Sequence, residues 1–341
     1  MKKRNILYCS RHSVLEYDEC LLLKEINMNV FCIADVGSGR RPKISQVTDG
    51  KSSIIPQNLV DEAHVKTSGD LNPELLEYFD TVIFMCATSF GWIVPQWEKL
   101  KSKLVICRMI GQHMPQFRDL THVCLNEGLQ VVTYSDREAE LNGLSNSDKF
   151  VHMIPFYKDP SEFSEWTGRR KLAFTCNAWV DRPNNVCHPD FYLNASYNLP
   201  RLLSGPDNAF FWLKDPRLRE VGDDFTCLLP YSLLKEFYRD SRCYLYLGTE
   251  PACYTLNFME AFMTGIPVVA YETGIMSQII ENGRNGFCAK DPDEAHIYLD
   301  TLLSDIDFAR EIGMRGRETA IEMFAKEKIK QKWIEFFEEM E

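Results

Sequence analysis

Short runs of β-branched and aromatic residues alternate with longer amphipathic runs along most of the chain, the pattern that encodes βαβ units on a parallel sheet. Residues Asn5–Cys9 read as a strand, 13–26 as a helix and 30–34 as a second strand. A helix at 73–79, a strand at Thr81–Met85, a helix at 92–100 and a strand at Leu104–Arg108 follow. A helix at 117–127, a strand at 130–134, a short helix at Asp136–Leu141 and a strand at 151–155 complete the series. Residues 156–170 read as a crossing, and the alternation then restarts. Strands are expected at 171–175, 209–213, 224–228, 243–247, 267–271 and 286–289. Helices are expected at 190–203 (interrupted by Pro200), Tyr231–Asp240, Leu256–Thr264, 276–281, 292–303, 308–323 and 326–341.

This pattern predicts an α/β chain of two doubly wound, Rossmann-like domains facing across a cleft. A length of 341 residues suits two domains of about 150 residues each. The expected bounds are 1–160 and 161–325, with a terminal helix at 326–341 packing back toward the first domain. Open α/β sheets bind ligands beyond the carboxyl ends of their strands, so function is sought in the loops that follow strands. The long loop at 36–58 is one of these.

Charge and cysteine usage narrow the class. A net charge of −11 disfavours non-specific nucleic-acid coating, which rests on phosphate neutralisation. Residues 1–155 carry 17 basic and 19 acidic side chains, and the remainder carries 21 and 30, so the acidity lies mostly in the second half. The twelve cysteines are scattered singly, with no CxxC pair, as buried small hydrophobes in a reducing compartment are. The basic N-terminus breaks at Ser10-Arg11-His12, short of a signal-peptide core, and the apolar stretch at 81–95 falls short of a bilayer span. The expectation is a cytoplasmic protein without a transmembrane segment.

Residues 250–271 read EPACYTLNFMEAFMTGIPVVAY: a strand end, a polar loop, a helix and a buried strand. The backbone N–H groups of Thr255, Leu256 and Asn257 would open the helix, where free donors and the helix dipole favour a diphosphate. Glu260 lies about one turn further on, where a carboxylate suits the hydroxyls of a ribose.

This segment resembles the C-terminal domain of GT-B retaining glycosyltransferases, particularly glycosyltransferase family 4. The family's motif is Glu, seven residues, Glu, then Ala-Met-x-x-Gly-x-Pro-Val-Val-Ala. The likeness continues through Thr273-Gly274, Ile279-Ile280-Glu281-Asn282-Gly283, Asn285-Gly286-Phe287, Asp291, Arg310, Met314-Arg315-Gly316 and Phe324. The resemblance implies a transferase, hexosyl or pentosyl, that moves a sugar from a nucleotide-diphosphate sugar to an acceptor hydroxyl with retention. It needs no cofactor and no metal beyond that donor.

By the same resemblance Glu260 binds the nucleotide ribose, and the loop amides with Thr255, Leu256 and Asn257 hold the diphosphate. The family's first glutamate falls at Ala252, with Glu250 two residues early. Either Glu250 reaches the donor sugar or that contact is missing. Arg182 is the one cation in the stretch after the first strand of this domain and is assigned to the leaving diphosphate, against the alternative of a surface pair with Asp181. The turn at Leu228 corresponds to the place where the nucleobase is read, and Ile154-Pro155-Phe156-Tyr157-Lys158-Asp159 is similar to the family's interlobe segment.

On the reacting side the candidates come from loops after strands. His113 ranks first, Arg108 second and His12 third. Arg11, His12, Arg40 and Arg41 are placed on the acceptor side, where the 36–58 loop is locally basic and suits an anionic acceptor. Two other functions remain open: a phage-type transferase that glycosylates hydroxymethylated cytosine in DNA, with DNA as a less favoured partner, and a non-catalytic two-lobed sugar- or nucleotide-binding protein. A nicotinamide dehydrogenase is excluded, because Gly37-Ser38-Gly39 follows the second strand and runs into Pro42.

Overall fold

The computed structural model describes residues 2–9, 13–32, 55–65, 71–85, 94–111, 125–145, 147–177, 186–205, 224–226 and 229–341. The chain divides into two units, Met1–Tyr157 with Lys326–Glu341, and Lys158–Ala325.

In the first unit the elements are β1 (Asn5–Cys9), α1 (Ser13–Glu25), β2 (Asn29–Cys32), α2 (Gln57–Val65), α3 (Pro73–Leu76), β3 (Thr81–Met85), α4 (Trp97–Leu100), β4 (Leu104–Arg108), β5 (Gln130–Thr133), α5 (Asp136–Leu141) and β6 (Val151–Met153). The six strands are all parallel, in the order β2-β1-β3-β4-β5-β6. Strands buried on both faces read as continuous apolar runs, and β3 (TVIFM) is buried at every position. Helix starts are chemically marked: Asn72 caps α3 ahead of Pro73, and Ser135 accepts from Glu138 N at the start of α5.

The second unit runs β7 (Arg170–Cys176), α6 (Pro189–Ala195), β8 (Arg201–Ser204), β9 (Asp224–Thr226), α7 (Tyr231–Asp240), β10 (Ser241–Tyr246), α8 (Leu256–Thr264), β11 (Val268–Tyr271), α9 (Met276–Ile279), β12 (Phe287–Ala289), α10 (Pro292–Ser304) and α11 (Ile306–Phe324). Its sheet is also parallel, in the order β12-β11-β10-β7-β8-β9. Lys158 enters the unit beside its exit, pairing with Ala325 and donating its N–H to Phe324 O at 2.9 Å.

A last helix, α12 (Lys326–Glu339), belongs to the first unit. Ile329, Trp333, Phe336 and Phe337 on it are buried, and Lys326 pairs with Glu25 of α1 at 3.1 Å.

Two elements depart from the sequence reading. The helix expected over 190–203 stops at Ala195, and Arg201–Ser204 is a fully buried strand between β7 and β9. The helix ends at the Ser196 cap, the chain turns through left-handed backbone at Asn198 (φ +56°), and Pro200 then keeps Leu199 out of helical backbone. Helix α2 was not anticipated at all. The strand expected at 209–213 lies outside the described residues, as does most of the 117–127 helix.

Candidate donor site

In the second sheet the chain moves from β7 outward to β8 and β9, then returns to the other side of β7 for β10. Strand order therefore reverses between β7 and β10, and the crevice beyond their carboxyl ends is the natural ligand site of such a sheet. The segments leaving those ends are tied together. Asn177 Nδ2 donates to Gly248 O (3.0 Å), Glu250 N to Val186 O (2.9 Å) and Asn257 Nδ2 to Cys176 O (2.6 Å). Glycine is required where the loops after β10 and β11 meet: at Gly274 (φ +60°) a Cβ would lie 2.1 Å from Cys253 O.

Helix α8 starts at this crevice. Its cap residue Thr255 is extended (φ −120°, ψ 166°), and the N–H groups of Leu256 and Asn257 donate to nothing among the described residues. Two unused donors at the positive end of a nine-residue helix form a seat for phosphate oxygens. The Asn257 side chain is spent on Cys176, so only its amide faces that role. Thr255 has its hydroxyl and amide beside the Tyr246 phenol, whose own pKa burial pushes up.

Glu260, one turn along α8, is 0% exposed. Its Oε1 lies 3.4 Å from Lys158 Nζ, itself 1% exposed on the side chain, and neither carboxylate oxygen has a hydrogen-bond partner among the described residues. The pair holds opposite charges together away from water while leaving the carboxylate's lone pairs without donors. Buried acceptors in that state are rare.

Glu250 has a side chain 59% exposed, and its Oε1 lies 3.7 Å from His188 Nε2. His188 sits at the end of the β7 loop in left-handed backbone (φ 53°, ψ 51°). Burial lowers its pKa, and the Glu250 charge opposes that shift. Neither His188 nor Lys158 was singled out from the sequence. The signal for Lys158 is a lone cation after the apolar run Ile154-Pro155-Phe156-Tyr157, whereas that for His188 is only its place before Pro189.

Arg108 requires a correction. It closes β4, as expected, but it is 0% exposed and belongs to a buried network within the first unit, in which its Nη2 has no hydrogen-bond partner among the described residues. Its Nε donates to both oxygens of Glu19 (2.9 and 3.2 Å) and its Nη1 to Thr133 O (3.3 Å). The guanidinium lies 4.0 Å from the centroid of the Phe156 ring and 5.8 Å from that of Trp333. Tyr8 donates its hydroxyl to Glu19 at 2.7 Å, and burial raises the Glu19 pKa despite Arg108. So placed, Arg108 acts as a core ion pair rather than a loop residue open to ligand.

His113, Arg182, Leu228, Arg11, His12, Arg40 and Arg41 lie outside the described residues. Among the described residues no group of three or more His, Cys, Asp or Glu could hold a metal ion, and no helix is long and apolar enough to cross a membrane.

Two parallel-sheet, Rossmann-like units of this kind are the GT-B fold. Residues 217–319, which carry the loop, α8 and the Gly274 turn, match the family described as "Glycosyl transferases group 1". The chain is similar over its whole length to solved structures. One is HepE from Anabaena in complex with UDP and glucose (13% identity, 98% of this chain and 100% of that one, TM-score 0.72). Another is the sucrose-phosphate synthase of Thermosynechococcus elongatus (15%, 99% and 99%, TM-score 0.72). A third is a glycosyltransferase of Rickettsia africae (14%, 99% and 99%, TM-score 0.72). No curated protein sequence matches the chain.

Proposed function

We propose that the chain is a glycosyltransferase that moves a sugar from a nucleotide-diphosphate sugar to an acceptor hydroxyl with retention of anomeric configuration. The observation that carries this reading is the pair of amides at Leu256 and Asn257, unused among the described residues, placed at the strand reversal and inside the stretch that matches glycosyl transferases group 1. A leaving diphosphate gains charge as the glycosidic bond breaks, and oriented amides with a helix dipole stabilise that charge without reorganising. Arg182 is assigned to the same diphosphate on sequence grounds. Glu260 takes the ribose hydroxyls: beyond the Lys158 ion pair its two oxygens have no hydrogen-bond donor among the described residues, and a vicinal diol supplies two. Since Glu260 is closed to solvent, ribose reaches it only when the side chains covering it shift.

UDP-sugars are the first donors to test, because HepE binds UDP and glucose. A cytoplasmic setting fits the nine described cysteines, all buried and none in a disulfide. Thermal-shift titration with UDP, GDP, ADP and dTDP tests the donor. A nucleotide at a hundred times its Kd adds about 2.7 kcal/mol to the state that binds it. If no nucleotide raises the melting temperature and no nucleotide sugar is consumed, the reading fails. The anomeric proton coupling of the product tests retention.

A further inference from the structure

The segment by which the chain enters the second unit is tied to the donor helix at several points. Lys158 donates its N–H to Phe324 O at 2.9 Å, and the Phe324 ring lies 5.3 Å from that of Tyr254, the residue before the Thr255 cap of α8. Arg317 of α11 donates to Met263 O of α8 and, at 3.4 Å, to Pro160 O. Residues 158–160 are thereby fixed beside α8, and the Lys158 ammonium is held against the Glu260 carboxylate with both side chains closed to water.

The contact from Nζ to Oε1, at 3.4 Å, pairs the charges without forming a hydrogen bond, since neither carboxylate oxygen has such a partner among the described residues. Lys158 therefore offsets the charge of Glu260 and leaves its acceptor directions open. An ionised carboxylate offers about four lone-pair sites, room for two hydroxyls beside the cation. A hydroxyl gains less from a carboxylate whose charge a buried cation already offsets than from a bare one. A missing hydroxyl also costs less, because the oxygen it would have met keeps a cation nearby instead of standing unpaired in the interior. Sites that reject an analogue lacking one hydroxyl do so by leaving a buried group unpaired, and Lys158 removes that condition here.

We propose that Lys158 sets the pentose specificity of the donor site, acting through Glu260 as a positioning residue. With the cation in place, deoxyribonucleoside diphosphate sugars are accepted alongside ribonucleoside ones. This rests on the assignment of Glu260 to the ribose and goes beyond it, because a buried carboxylate without a cation would demand the full diol.

The test uses the full chain and isothermal titration calorimetry with UDP, 2′-deoxy-UDP and 2′,3′-dideoxy-UDP, which share base and diphosphate. If another base is the one that binds, its own deoxy series is used. The unaltered chain is expected to bind 2′-deoxy-UDP within about tenfold of UDP, and a stronger preference for UDP overturns the proposal. Lys158→Met removes the cation and keeps a side chain of similar bulk. It should widen the ratio of the dideoxy Kd to the UDP Kd by about tenfold, whereas Lys158→Arg, which keeps the charge, should leave that ratio as it is. Lys158→Gln serves in place of Lys158→Met if the latter does not fold. A lysine that only supports the fold would weaken all three ligands alike, so an unmoved ratio refutes the assignment. If the unaltered chain binds no nucleoside diphosphate, the donor-site reading itself falls.

Discussion

Replacing Lys158 with methionine would strand the Glu260 carboxylate where no part of its residue is open to solvent. At the 3.4 Å separation of the pair, Coulomb attraction with an effective dielectric of 20 is about 5 kcal/mol. Removing one partner of a buried pair typically costs about 3–5 kcal/mol, because the remaining charge keeps its desolvation penalty. Lys158→Met and Glu260→Met should therefore each destabilise the second unit by that amount. The double variant, with two apolar side chains of similar bulk, should lie within about 2 kcal/mol of the unaltered chain. Hydrogen exchange of the amides in β10 and α8, followed through urea, isolates this unit from the other. If the two single effects add to the double within about 0.5 kcal/mol, the pair is not coupled and the reasoning is wrong. Nucleotide-dependent stabilisation should survive in Lys158→Met and vanish whenever Glu260 is replaced. The same arithmetic makes Glu260→Ala alone an unsuitable probe of nucleotide binding, since it strains the fold as well as the site.

Three further outcomes are expected. Gly274→Ala places a methyl against Cys253 O at strained backbone, so it should cost about 1 kcal/mol or more and abolish the melting shift given by nucleotide; an unchanged shift would separate this turn from the site. Trp333→Ala should remove about 3–5 kcal/mol from the first unit in urea unfolding, because the indole is fully buried; a loss under 1 kcal/mol would contradict its place in that core. Glu138, which accepts from the Gly111 and Tyr134 amides, has its pKa raised to about 7 by burial, so the folded state holds this proton more tightly than the unfolded chain. Its contribution is fully present below about pH 4.3 and is lost as pH rises through about 7. Buried Glu19 acts in the same direction, and His152, with its pKa lowered, acts only below about pH 6.5. Urea unfolding of the first unit between pH 6.5 and 8.5 should show falling stability, and a flat profile would refute the assignment.

The fold was legible where local periodicity and tertiary fate agree. Strands such as Thr81–Met85 and helices such as Leu256–Thr264 stand where the pattern put them. Arg201–Ser204 was misread because four residues (RLLS) after a proline carry no period of their own, and only their seat between two strands makes them β. Within the site, the amides of α8 were foreseeable from strand, loop and helix order. The surroundings of Arg108 were not, because Glu19 and Trp333 converge on it from opposite ends of the chain. Lys158 and Glu260 meet for the same reason, and no spacing rule links them. His188 depends on a backbone conformation that its residue type does not advertise.

The return of α12 to the first unit has a consequence for synthesis. Everything that the second unit needs, Lys158–Ala325, is made as one uninterrupted stretch, whereas the first unit lacks Trp333, Phe336 and Phe337 until after the whole of the second unit has been made. On the ribosome the later-encoded unit can thus reach its native state first. The earlier one waits with part of its apolar interior uncovered, which makes it the half of the nascent chain most exposed to chaperones and to aggregation.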